Sequence, residues 1–218
     1  YFFVTIYGIY FLYRNQLLGK INFRFTSDIL KFCLPLVPHA IGGIVIALSD
    51  RYFISYFLNN EFVALYTVSY QVASIMLLAG VSVNLAWTPF LFKMLKSGGY
   101  NKSYVYSLRI SLLFFAIGIF IFLLKDVLFY IFVDESFMRA KEYFLYLLLG
   151  FLFQSVYTVI SGYLFFEHRT ALLAGLTVSA AILNIILNFY LIIEFGALGA
   201  AYATAISWAI FTIIVSII

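Results

Sequence analysis

An otherwise lipid-compatible run, LPLVPHAIGGIVIALSDRYFISYF (residues 34–57), carries His39, Asp50 and Arg51. An imidazole passes protons, a carboxylate holds a proton or a cation, and a guanidinium offers phosphate or a sugar acid a planar fork of donors. On a helical wheel Asp50 and Gly43 fall about 20° and about 40° from His39, whereas Arg51 points about 120° away. Two readings stand. The segment lines a cavity and flexes at Pro35 and Pro38, or Asp50 and Arg51 sit at the outer headgroups while Gly42 and Gly43 permit close helix packing. Asp50 lies about 20 residues, or about 30 Å, from the inner end of such a helix, which puts it near the outer interface. His39 has two readings as well, a coupling role or a buried imidazole bonded to a neighbouring helix.

Further polar residues recur at helical spacing. Thr67, Gln71, Ser74 and Ser82 share one face, as do Gln154, Thr158, Ser161 and His168, and as do Thr177, Asn184 and Asn188. Such stripes suit a shared hydrated cavity, or inter-helix hydrogen bonds worth about 0.6–2 kcal/mol each. Pro89, in NLAWTPFLF, bends or ends its helix. The chain shows no nucleophile elbow, phosphate-cradling glycine loop or zincin motif, and no His/Cys grouping has metal-ligand spacing. The expectation is therefore neither an enzyme nor a cofactor or metal protein. Cys33 is the lone cysteine and forms no intramolecular disulfide.

The elements that must position these groups follow from composition. Of 218 residues, 65% are hydrophobic and 10% charged, with a mean hydropathy of +1.07; a soluble domain carries about 25% charged residues. Long apolar runs rather than strict alternation indicate an all-α polytopic membrane protein. Runs long enough to cross a bilayer fall at 31–58, 62–92, 108–133, 143–166, 171–193 and 197–218, joined by short turns. Residues 1–13 read as the end of a transmembrane helix that begins upstream, and 14–27 as a cytoplasmic linker. Thr26, Ser27 or Asp28 is the expected N-cap of the next helix. Nine of the thirteen basic residues cluster at 14–31, 93–109 and 169, which puts loops 14–30 and 93–107 in the cytoplasm by the positive-inside rule. The basic isoelectric point thus reports topology, not a nucleic-acid partner.

Residues 28–95, with LPLVPHAIGG, LSDRYFI, EFVALYTVSYQVA and AWTPFLFK, resemble the polysaccharide-biosynthesis (O-antigen repeat-unit) flippases of the multidrug/oligosaccharidyl-lipid/polysaccharide exporter superfamily. ALGAAYATAISW resembles the last helix of a lobe in that family. The resemblance implies two six-helix lobes opening alternately to either side of a bacterial inner membrane. Residues 28–218 would form the C-terminal lobe, preceded by the end of a helix from an N-terminal lobe. It implies an undecaprenyl-diphosphate-linked oligosaccharide as cargo and a cationic cavity, with polysaccharide polymerase and glycosyltransferases as partners. Arg51 would meet the diphosphate, and Tyr66, Tyr70 and Trp87 the sugars. Alternatives in the superfamily are a cation-coupled drug antiporter, for which Asp50 is the candidate carboxylate although Arg51 beside it argues against an unpaired charge, and a lipid II flippase. A non-transporting scaffold for glycan assembly is the alternative from another class.

Overall fold

A computed structural model describes residues 2–15 and 23–218, and the described residues form an all-helical bundle. The helices are α1 (Phe2–Arg14), α2 (Phe23–Cys33), α3 (Leu36–Phe57), α4 (Asn60–Ala73), α5 (Ile75–Lys96), α6 (Tyr100–Leu123) and α7 (Lys125–Phe132). A 3-10 turn (Glu135–Ala140) then leads into α8 (Lys141–Phe166), α9 (Thr170–Phe195) and α10 (Ala197–Ile217). Six helical stretches are long and apolar enough to cross a membrane, so the chain is an integral membrane protein.

Several boundaries differ from expectation, each for a local reason. The predicted span at 31–58 is broken at Leu34 and Pro35, because proline cannot donate to the preceding turn. Pro38, by contrast, sits in the first turn of α3, where its missing N–H has no intrahelical partner to lose; it is not a kink. Thr26–Asp28 lie inside α2 and so do not cap it, and residues 16–22 of the expected linker lie outside the described residues. The span predicted at 62–92 divides at Ser74, whose hydroxyl turns back onto the Gln71 carbonyl (2.7 Å). Pro89 does not end α5, which runs on to Lys96. The span predicted at 108–133 begins at Tyr100 and stops at Leu123, and 125–132 form the separate α7.

The caps are conventional in chemistry. Asn59 accepts from the backbone N–H groups of Glu61 and Phe62 at the start of α4 (2.9 and 3.2 Å). Between the N-terminal ends of α7 and α8, Lys141 donates to Asp126 (2.9 Å), and this hydrogen bond holds the exposed Asp126 carboxyl below its usual range.

At the centre stands α8, packed by α4, α5, α6 and α10, with Phe144, Leu147, Phe151 and Val159 buried in the main core. The α3–α9 pair joins this core through α10, with Ile46, Leu173, Trp208 and Phe211 in a second cluster. Close approach depends on absent side chains. A Cβ at Gly42 would press on Thr177 of α9 (3.0 Å to Cγ2), and one at Gly199 would overlap the backbone carbonyl of Leu191. Gly196, at φ 62°, supplies the left-handed turn between α9 and α10.

Gly199→Ala is therefore expected to lower the apparent melting temperature in detergent, with a loss of about 1–3 kcal/mol or more, because backbone must move. Gly175→Ala, where an added Cβ meets nothing, should be neutral or stabilise the helix by up to about 1 kcal/mol. Equal behaviour of the two variants in a thermal unfolding assay would contradict the close approach of α9 and α10.

Candidate functional site

The α3 wheel places Asp50 where α4, α9 and α10 converge, and its side chain is fully buried. Tyr66 of α4 donates to Oδ2 (2.5 Å), Thr204 of α10 donates to the same oxygen (2.6 Å), and Asn188 Nδ2 of α9 donates to Oδ1 (2.7 Å). A second layer surrounds these contacts. Ser49 donates to Asn184 Oδ1 (2.7 Å), and Asn188 Nδ2 also reaches that oxygen (3.1 Å). Two polar atoms in this nest, Asn188 Oδ1 and Asn184 Nδ2, are buried without a hydrogen-bond partner among the described residues. Asp50 is seven residues short of the end of α3, about 10 Å down the axis. It is thus an interior carboxylate, and not a headgroup anchor.

Arg51 does not neutralise it. Successive helical residues diverge by about 100°, and Arg51 turns to α4 instead. Its Nε donates to Thr67 Oγ1 (3.2 Å), its Nη1 to the carbonyl of Ala47 (2.8 Å), and its guanidinium lies 4.3 Å from the centroid of the Tyr70 ring. The inference that Arg51 argues against an unpaired Asp50 is corrected on that geometry. No ion pair to Asp50 or to Arg51 occurs among the described residues. Arg51 is half-buried, with donor capacity left over, on a face that also carries Thr67, Tyr70 and Gln154.

His39 lies about 16 Å below Asp50 along α3 and bonds through Nδ1 to Thr177 Oγ1 (2.6 Å). The same Thr177 hydroxyl lies 2.9 Å from the Leu173 carbonyl, so Thr177 links the imidazole to the backbone of α9. Gln154 on α8 borders a small cavity with Thr204, whereas Gln71 is exposed on the far side of α4, in a groove of about 500 Å³ beside Asp134 and Phe137.

The expected polar stripes are thus divided. Thr177, Asn184 and Asn188 are buried against α3 and do not line an open cavity. Ser161 donates to Thr158 within α8 (3.1 Å), and His168 closes that helix at φ 57°. Tyr66 and Trp87 are buried, so neither faces an open sugar site in this structure; only Tyr70 stays partly exposed. Sequence reading missed Ser49 and Thr204. Thr204 was legible only as the one threonine within the alanine-rich run AAYATA.

A carboxyl ringed by neutral hydroxyl and amide groups is suited to a proton or to a single monovalent cation. A hard cation takes carboxylate, amide and hydroxyl oxygens, and Asp50, Asn184, Asn188, Ser49 and Thr204 supply them. Among the described residues no group of three His, Cys, Asp or Glu exists to hold a multivalent metal.

The family model described as MatE matches residues 35–190. The chain is 29% identical over 206 residues to the "Probable low-salt glycan biosynthesis flippase Agl15" of Haloferax volcanii, covering 90% of this chain and 43% of that protein. It is 27% identical over 187 residues to a protein of the Lsg locus of Haemophilus influenzae, covering 81% of this chain and 46% of the relative. The chain therefore spans less than half the length of these relatives. Its fold resembles an outward-facing multidrug resistance MATE transporter of the MOP superfamily (TM-score 0.70, 24% identity, 86% of this chain and 43% of the other). It also resembles a MOP superfamily transporter of Pyrococcus furiosus (TM-score 0.64, 24% identity, 86% and 43% covered).

Asp50→Leu leaves the Tyr66, Thr204 and Asn188 donors without their acceptor, and is expected to cost about 2–4 kcal/mol of apparent stability in detergent. Asp50→Asn keeps one acceptor oxygen and removes a buried charge, so its loss should stay within about 1 kcal/mol. Thermal unfolding of both variants checks the order; a reversed order contradicts the hydrogen-bond assignment.

Proposed function

The chain belongs to the MatE family, and from that premise we propose that it forms the C-terminal six-helix lobe of a transporter moving polyprenyl-diphosphate-linked oligosaccharides from the inner to the outer leaflet. The sequence resemblance implies undecaprenyl diphosphate as carrier and a bacterial inner membrane, with residues 14–30 and 93–107 cytoplasmic. A preceding lobe, of which residues 1–13 are the last helix, completes the cavity. Glycosyltransferases supply the cargo and a polymerase consumes it.

The observation that carries this reading is Arg51, a half-buried guanidinium with no carboxylate partner among the described residues, held over the Tyr70 ring by contacts that leave donors free. A diphosphate accepts such a fork in bidentate fashion, which an ammonium does not reproduce. The name borne by the Haloferax volcanii relative, a glycan biosynthesis flippase, supports the same cargo class.

Coupling is assigned to Asp50. Loading its carboxylate with a proton or a monovalent cation changes the net charge of the buried nest by one, and so shifts the balance between inward- and outward-open states. The same unpaired carboxylate favours one second reading, a cation-coupled drug antiporter; the two differ in cargo and share the coupling group.

In the full-length protein, Arg51→Ala is expected to trap repeat units on the inner leaflet, cutting outer-leaflet delivery by about tenfold or more while insertion stays normal. Arg51→Lys should recover only part of the loss. Normal surface polysaccharide in Arg51→Ala removes Arg51 from the mechanism. Loss of cationic-drug efflux in Asp50→Asn, with glycolipid delivery intact, selects the antiporter reading.

A further inference from the structure

Below Asp50, between α3, α4, α8 and α10, lies a partly enclosed cavity of about 30 Å³ bordered by Gly43, Ala47, Tyr70, Gln154, Thr204 and Trp208, among others. The volume admits a water molecule, for which about 10–15 Å³ of probe-occupied space suffices. The lining is equipped for one. Thr204 spends its hydroxyl proton on Asp50 and keeps its lone pairs. The half-buried Gln154 amide has no hydrogen-bond partner among the described residues. Gly43 provides the room, since a Cβ there would meet nothing within 4 Å. One residue, Thr204, therefore touches both the carboxylate and the cavity.

The other flanks of Asp50 are mostly apolar. Toward the outer end stand Ile54, Leu65 and Tyr143, all buried. On another side, Ser49 opens on a predominantly apolar groove lined by Ile44, Val45, Leu48 and Tyr52. The half-exposed rim of Gly43, Ala47, Tyr70 and Gln154 belongs to the face that carries Arg51.

We propose that the Gly43 cavity is the antechamber through which the coupling cation or proton reaches Asp50, and that Tyr70 is its movable wall, held shut by the Arg51 guanidinium stacked on its ring. The inference rests on the coupling role of Asp50 given above, and adds the path and its control. Tyr70 is shared by both subsites: it borders the cavity, and its ring carries Arg51 while meeting Phe151 edge-on at 4.9 Å. A cation–π contact of this kind holds the ring while the guanidinium is free. A phosphate group competes for the same guanidinium, and drawing it off the ring releases Tyr70. Cargo binding at Arg51 thus opens the way to Asp50, which ties the two events without any direct contact between anion and cation. Tyr70 acts here as a positioning residue and does not itself contact the cation.

The test uses the full-length transporter in proteoliposomes, with ²²Na⁺ uptake in one arm and an imposed pH gradient read by an entrapped dye in the other. Gly43→Val is expected to slow exchange of the coupling ion by about tenfold or more, while its equilibrium affinity stays within about twofold, because the path is filled and the site is not. Gly43→Ala, which fits without displacement, should give an intermediate rate, and keeps the test valid if the valine variant misfolds. Tyr70→Ala should let the ion leak without cargo, and Tyr70→Phe should restore the coupling. Wild-type exchange rates in both Gly43 variants, or tight coupling in Tyr70→Ala, overturn the inference. Asp50→Asn is the separate control: if it carries both ions as the wild type does, the coupling reading itself falls and the antechamber with it. If Asp50→Asn loses the ion while the Gly43 variants exchange normally, only the antechamber falls.

Discussion

A single carboxylate, buried without a matching charge, organises the rest of this lobe. Moving such a group out of water carries an effective penalty of several kcal/mol, and hydrogen bonds must offset it if no counter-ion does. Asp50 receives them from three different helices, through Tyr66, Asn188 and Thr204. That requirement draws α3, α4, α9 and α10 to one point. The close approach then depends on what is missing elsewhere. Gly42 admits α9 to α3, and Gly199 admits α10 to α9. The polar nest and the small-residue seams are two sides of one constraint, since short donors bridge only between backbones that come near.

The neighbouring cation is kept apart by helix geometry. One residue on, the side chain has rotated by about 100°, so Arg51 faces Tyr70 and Thr67 while Asp50 faces inward. Had the two paired, a neutral dipole would have resulted, with neither charge available. Separation leaves a guanidinium on the half-exposed face and a carboxylate in the interior. An integral membrane protein of the MatE family can use both, because a charge that is free in one state and satisfied in the next is what biases an equilibrium between conformations.

Residue patterns made much of the fold legible. Apolar run lengths gave the number of membrane-crossing stretches, since about 20 residues must be apolar to cross lipid whatever their neighbours are. Glycine positions in EFGALGAA signalled the α9–α10 turn, and Gly196 does take a positive φ there. Boundaries were less legible. The N-terminal turns of α6 are amphipathic rather than apolar, so hydropathy starts that helix late. The break at Leu124 carries no proline or glycine to announce it. Pro38 misled in the other direction, because its effect depends on its place in the first turn rather than on its presence.

His39, Asp50, Asn184 and Asn188 were identifiable from the chain itself as polar groups on lipid-compatible helices, for the elementary reason that each is expensive to bury. Their partners were not. Wheel angles order residues around one axis and say nothing of which neighbour stands opposite. A stripe that lines water and one that is locked into a seam therefore look alike in sequence. Packing alone decided that Asn184 and Asn188 meet α3, that Thr204 reaches Asp50 across 154 residues of chain, and that Arg51 rests on Tyr70. The sequence by itself determined that charged and polar groups ride on membrane-crossing helices; the tertiary structure decided that Asp50 is buried and what satisfies it, because hydrogen bonds depend on distances between helices that no single helix contains.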